Sequence, residues 1–164
     1  MPDTNIVAQR LLQNQEDIGN AIKPYYGNDA GNKLTSLLKD HIMGSVDLLK
    51  AAKAGNTSVI AADEKTWYEN ADQIAIFLGS ANPNWSKESL KSMLDNHLAL
   101  TKSEAVARLT GNYASDINAY DKIRQEASVM SDALVYDIVK QFPDKFLSNI
   151  HSTPTTIIPH NTTS

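Results

Sequence analysis

Apolar residues recur at helical spacing along most of this chain, and this pattern restricts the fold more than any other feature. In residues 29–54, the positions that repeat every three or four residues are Leu34, Leu38, His41, Ser45, Leu48 and Ala52. This spacing places them on one face of an α-helix. Similar patterns predict long helices over residues 58–79, from Ser86 onward, and over 113–141. No segment shows convincing strand alternation, so the sequence predicts an all-α protein.

Four long helices joined by short loops are expected to pack as antiparallel neighbours. The predicted architecture is therefore an up-down-up-down four-helix bundle, formed by residues 27–147. A capping-box pattern at Thr101-Lys102-Ser103-Glu104 predicts a break near Thr101, followed by a short helix that ends at Leu109.

The two ends of the chain are expected to be less regular than its centre. Residues 1–26 are predicted to form short helices, and Lys23-Pro24 is expected to end the second of them, because proline disfavours the α conformation in the residue before it. Residues 148–164 are polar and patternless, which predicts a loosely held tail. A single helical domain over residues 1–147 is the expected organisation.

Composition excludes several classes of function. A chain of 164 residues has the size of one domain with a buried core. The net charge of −4 opposes nucleic-acid binding, which requires a basic face. The absence of cysteine excludes disulfides, thiolate metal sites and iron–sulfur clusters. No signal-peptide pattern and no apolar run of about 18 residues is present, so a cytoplasmic protein without a membrane segment is expected.

Two histidines occupy positions in the helical faces where leucine would be the ordinary residue. His41 lies at the centre of the first long helix, and His97 holds the same place in the third. These two helices run parallel in the predicted bundle, so both imidazoles are expected at similar heights. Asn70 falls near the same level, and Asp116 and Tyr120 are expected to approach His97. Side chains of facing helices build metal sites in this way, which predicts a zinc, iron, copper or manganese ion or a small cofactor in the core.

A second interpretation of the histidines requires no ligand. A buried neutral imidazole is satisfied by hydroxyl or carboxylate partners, and Ser45, Thr101 and Asp116 are positioned to provide them. The protein would then be a non-catalytic interaction or structural bundle, with a homodimer as one form of it. The sequence leaves both interpretations open.

Motifs for catalysis are not evident. The Glu-x-x-His pair of di-iron bundles is missing, since Leu38 lies three positions before His41 and Leu94 three before His97. The sequence contains no G-x-S-x-G elbow and no glycine-rich phosphate loop before a helix. An enzyme is therefore not indicated, although the sequence does not decide the question.

Several blocks within residues 2–142 form a distinctive set. They are Arg10-Leu11-Leu12-Gln13-Asn14, Ile22-Lys23-Pro24-Tyr25-Tyr26-Gly27, Ala51-Ala52-Lys53-Ala54-Gly55-Asn56, Trp67-Tyr68-Glu69-Asn70-Ala71-Asp72, Asn82-Pro83-Asn84-Trp85-Ser86, His97-Leu98, Glu104-Ala105-Val106 and Arg108-Leu109-Thr110-Gly111. Together they resemble a family of small all-helical proteins from soil bacteria with no established activity. Some members of that family carry transferase or kinase labels, but the helical pattern here contains no nucleotide site.

The resemblance adds two expectations. It implies an acid-His dipeptide on successive helices, which appears here as Asp40-His41 and, with asparagine in place of the acid, as Asn96-His97. It also implies a further N-terminal helix with another histidine, which this sequence does not contain. The expected result is an open apolar groove that a second copy would fill.

Overall fold

The computed structural model describes residues 4–147, with side chains from Ile6 onward. All regular structure in this range is helical, which confirms the predicted all-α class. None of these helices is long and apolar enough to cross a membrane. The elements are α1 (Thr4–Tyr26), α2 (Asn28–Ala54), α3 (Thr57–Ala81), α4 (Lys87–Leu109), α5 (Tyr113–Gln141) and α6 (Pro143–Leu147). The predicted tail at residues 148–164 lies outside the described residues.

The N-terminal segment differs from its prediction, because α1 is one helix of 23 residues instead of two short ones. Pro24 lies inside its last turn. Aromatic packing stabilises this turn: Tyr25 stacks on Phe146 at 5.5 Å, and Tyr26 meets Phe142 edge to face at 5.2 Å. These tertiary contacts outweigh the local effect of the proline, and the helix continues to Tyr26.

The predicted break near Thr101 is also wrong, since α4 is continuous across it. Thr101 Oγ1 donates a 2.8 Å hydrogen bond to the carbonyl of His97, four residues earlier in the same helix. A threonine inside a helix bonds in this way, whereas an N-capping threonine accepts from a later amide. The capping-box pattern is therefore present in the sequence but not used.

Each helix from α1 to α5 packs mainly against its neighbours in the chain. The side-chain pairs show that neighbours run antiparallel. Between α3 and α4, for example, Asp72 pairs with Lys91 while Glu64, eight residues earlier, pairs with Lys102 at 2.5 Å.

Helix α3 lies at the centre of the core. It buries Trp67, Ala71, Ile74, Ala75 and Leu78, which pack against buried leucines of α2 and α4. Helix α5 covers this core with partly buried residues, and Ala119 is its only buried residue. The core is therefore formed largely by three helices, with α5 laid over it.

A polar cluster closes one end of the molecule. Asn82, which is 0% exposed, donates from Nδ2 to the Tyr26 hydroxyl at 3.0 Å and to the Asp137 carbonyl at 2.9 Å. The Tyr26 hydroxyl donates to Gln141 Oε1 at 2.8 Å. These bonds connect α1, the end of α3 and the end of α5, and we call this part the closed end.

Candidate functional site

The His41 side chain is held by a hydrogen-bond chain that fixes its tautomer. His41 Nδ1 lies 2.8 Å from Asn70 Oδ1, and Asn70 Nδ2 donates to the Leu37 carbonyl at 3.1 Å. The second bond orients the amide, so its oxygen faces the imidazole and Nδ1 must be the donor. In the neutral ring the lone pair is then on Nε2.

Trp67 packs directly on His41. Its Nε1 donates to the His41 carbonyl at 3.0 Å, and the two rings stack with centroids 5.3 Å apart. Burial lowers the pKa of His41, the hydrogen bond to Asn70 opposes this change, and electrostatic repulsion from the neighbouring His97 lowers the pKa further. His41 is therefore neutral at pH 7, with Nε2 free to bind an electrophile or accept a proton.

His97 is held in a similar way by a carboxylate. His97 Nδ1 lies 2.9 Å from Glu126 Oε2 on α5. The other carboxylate oxygen, Glu126 Oε1, is buried and has no hydrogen-bond donor within residues 4–147. A carboxylate that accepts a hydrogen bond from Nδ1 is a usual partner of a metal-binding histidine, because it orients the ring and makes Nε2 more basic.

The two histidines occupy equivalent places in two helical hairpins, α2–α3 and α4–α5. In each hairpin the imidazole and its partner are 29 positions apart. Both turns consist of a positive-φ glycine followed by an asparagine that caps the next helix, at Gly55-Asn56 and Gly111-Asn112. The residue numbers of the second hairpin exceed those of the first by 56 at the histidine, the glycine and the histidine's partner. The hairpins α2–α3 and α4–α5 therefore share one arrangement, in which a histidine is held at Nδ1 by a side chain of the following helix.

The structure separates the sequence-predicted site residues into two groups. His41 and Asn70 are in contact, and His97 is close enough to His41 to lower its pKa. Asp116 does not pair with His97; instead, its carboxylate accepts a hydrogen bond from Arg108 Nη1 at 3.0 Å. Tyr120 is 55% exposed and lies at a surface cleft.

Antiparallel register explains why Asp116 and Tyr120 lie elsewhere. Residues of α4 and α5 pair when they are at similar distances from the turn at Gly111. Asp116 is near that turn and meets Arg108, whereas the level of His97 is reached only at Glu126. The sequence analysis missed Glu126, although its 56-residue offset from Asn70 would have identified it.

The described residues contain no group of three or more His, Asp or Glu side chains placed to hold a metal ion. An ion bound between His41 and His97 would have two imidazole ligands from residues 4–147. His151 and His160 lie outside the described residues.

A cleft of about 660 Å³ opens at the end opposite the closed end, between α2, α3, α4 and α5. Its surface is largely apolar, and Trp67 connects it to the histidine level, since it both lines the cleft and stacks on His41. Apolar side chains that line it include Leu48, Leu49, Ala52, Ile60, Ala105, Val106, Leu109 and Ile117. The charged residues of its lining are Lys102, Glu104, Arg108 and Asp116.

Comparisons of the chain with protein-family models, with curated proteins and with solved structures found no match. The resemblance to a soil-bacterial family stays a prediction.

Proposed function

We propose that this protein binds a transition-metal ion through Nε2 of His41 and Nε2 of His97. In this proposal α2 to α5 form an up-down-up-down four-helix bundle, and the ion lies in its interior. The observation that carries the proposal is the shared anchoring of the two rings, each held at Nδ1 by a side chain of the next helix. Such anchoring leaves Nε2 as the lone-pair nitrogen of a neutral ring and orients it before an ion arrives.

The arrangement suits an ion with open coordination positions. Two imidazoles are ligands for zinc, iron, copper or manganese, and water or a small cofactor would occupy the remaining positions. Because His41 is neutral at pH 7, binding at that nitrogen requires no proton to leave, and acid should weaken it.

Elemental analysis of the untagged, full-length protein is the first test. We expect close to one metal ion per chain in the parent, or after incubation with Zn²⁺, and its loss in the double variant His41→Ala, His97→Ala. The matched control is His151→Ala, His160→Ala, which removes the other two histidines of the chain. Absence of metal from the parent after incubation with each of the four ions would refute the proposal.

The anchoring side chains provide a second, finer test. Glu126→Gln and Asn70→Ala leave both imidazoles in place but weaken their orientation. We expect each to lower Zn²⁺ affinity about 10- to 100-fold, the usual loss when a side chain that orients a metal-binding histidine is changed. Titration calorimetry measures this loss, and an unchanged affinity in both variants would contradict the proposed use of Nε2.

The alternative function is that of a non-catalytic bundle in which the histidines only join helices. The same hydrogen bonds join α2 to α3 and α4 to α5, so the histidines would also serve as cross-links in a non-catalytic interaction bundle or homodimer. The double variant His41→Leu, His97→Leu separates the two. A cross-linking role predicts that the melting temperature falls, because Asn70 and Glu126 lose their partners, and that chelators affect neither the parent nor the variant. Metal binding predicts a lower melting temperature and loss of sensitivity to chelators.

A further inference from the structure

The cleft at the end opposite the closed end has the properties of a small-molecule site. Its volume of about 660 Å³ lies within the usual range for ligand pockets, which are mainly apolar with a few polar groups. Four of its apolar lining residues, Leu49, Val106, Leu109 and Ile117, are exposed to solvent. An apolar ligand would cover a surface that water now contacts.

The charged residues of the cleft are not equivalent. Lys102 pairs with Glu64 at 2.5 Å, and Arg108 pairs with Asp116 at 3.0 Å. Glu104, which also lines the cleft, makes no hydrogen bond or ion pair within residues 4–147. It is the one charged group of the lining that forms no ion pair within the described residues.

The surroundings of Glu104 agree with this description. Burial raises the pKa of its carboxyl group and the charge of Asp116 raises it further, while Arg108 acts in the opposite direction. The carboxylate is therefore held in a place that disfavours its negative charge. A cation beside it would remove that cost.

We propose that the cleft binds an amphipathic monocation, an alkyl or aryl amine whose apolar body fills the cleft and whose ammonium group pairs with Glu104. This goes beyond metal binding, since it uses a different charged group and a different surface. An anionic head group fits poorly, because both cations of the lining are already paired with carboxylates and Glu104 would repel it. A neutral ligand would leave Glu104 unmatched.

Titration calorimetry with three ten-carbon probes tests the charge preference in the full-length protein. The probes are n-decylammonium, 1-decanol and n-decanoate, each used below its micellar concentration. We expect saturable binding of n-decylammonium at least ten times tighter than that of n-decanoate. Glu104→Gln should reduce its affinity to that of 1-decanol, while the control Glu88→Gln, an exposed acid near the start of α4, should leave it unchanged.

Ala105→Phe tests the location by filling the cleft, and it should abolish binding of all three probes. Circular dichroism checks that this variant is folded. The double variant His41→Ala, His97→Ala should still bind n-decylammonium, because neither histidine lines the cleft. The amine proposal can therefore be tested independently of metal binding.

Three results would overturn the amine proposal. They are no saturable binding of n-decylammonium, binding of n-decanoate as tight as that of the amine, and an unchanged preference in Glu104→Gln. Sedimentation velocity adds a fourth: a parent dimer that Ala105→Phe dissociates would show that a second copy fills the cleft.

Discussion

Asn82 illustrates how a single buried polar side chain can hold three helices together. It is fully buried, donates to α1 and α5, and accepts from the Asn84 backbone amide at 2.9 Å. All of its hydrogen-bonding groups are thus used within the protein. A buried amide of this kind is costly to remove, because its partners lose their bonds without gaining water.

We therefore expect Asn82→Ala to lower the free energy of unfolding by about 2–3 kcal/mol. Urea unfolding followed by circular dichroism measures the change. Asn20→Ala, an exposed change in α1, is the control and should stay within about 0.5 kcal/mol of the parent. Equal losses in the two variants would show that the closed end does not depend on Asn82.

At the scale of helices, α1 and α2 cross with their backbones in close approach at two glycines. A Cβ atom built on Gly19 would lie 2.6 Å from the Gly31 carbonyl oxygen, and a Cβ on Gly31 would lie 2.6 Å from that of Gly19. Real Cβ atoms do not approach backbone oxygens so closely, so any larger residue would push the helices apart.

Gly31→Ala should consequently destabilise the protein by about 1–3 kcal/mol, the usual cost of overpacking. This outcome opposes helix propensity, which favours alanine over glycine by about 1 kcal/mol. Gly79→Ala is the matched control in α3, since its new methyl group would meet mainly the flexible Lys87 side chain. We expect that variant to be neutral or slightly more stable, and thermal melts of both compare them. A stabilised Gly31→Ala would contradict the close crossing.

The sequence predicted the helices better than it predicted their interruptions. Apolar periodicity is a long signal, and it placed the core helices and brought His41 to the level of Asn70. Breaks were inferred from short signals at Pro24 and Thr101, and tertiary packing or an alternative hydrogen bond overrode both. Glu126 was missed because its role depends on the register between two helices, which no single helix contains.

For the molecule as a whole, His41 should couple stability to pH. Its pKa is lowered on folding, so below the unfolded value of about 6.5 the unfolded chain binds a proton that the folded protein resists. The stability contributed by the neutral ring is present above that pH and is lost as the pH falls toward the folded pKa.

We expect the melting temperature of the parent to fall more between pH 7.5 and pH 5.5 than that of His41→Gln. The comparison cancels the pH-dependent contributions of groups that both proteins share. These include Glu104, whose raised pKa makes the protein less stable as the pH rises. Melts at both pH values, monitored by circular dichroism, provide the measurement. Parallel pH dependence in the two proteins would show that His41 does not contribute.

The order in which the helices pack has a consequence for how the chain acquires its fold. Since each helix rests mainly on the one before it, most contacts require closure of only a short loop, and the associated entropy loss is small. The bond from Tyr26 to Gln141 is different, because it joins residues 115 positions apart. Helical pairs are able to form one after another as the chain leaves the ribosome, but the closed end must wait until α5 is complete.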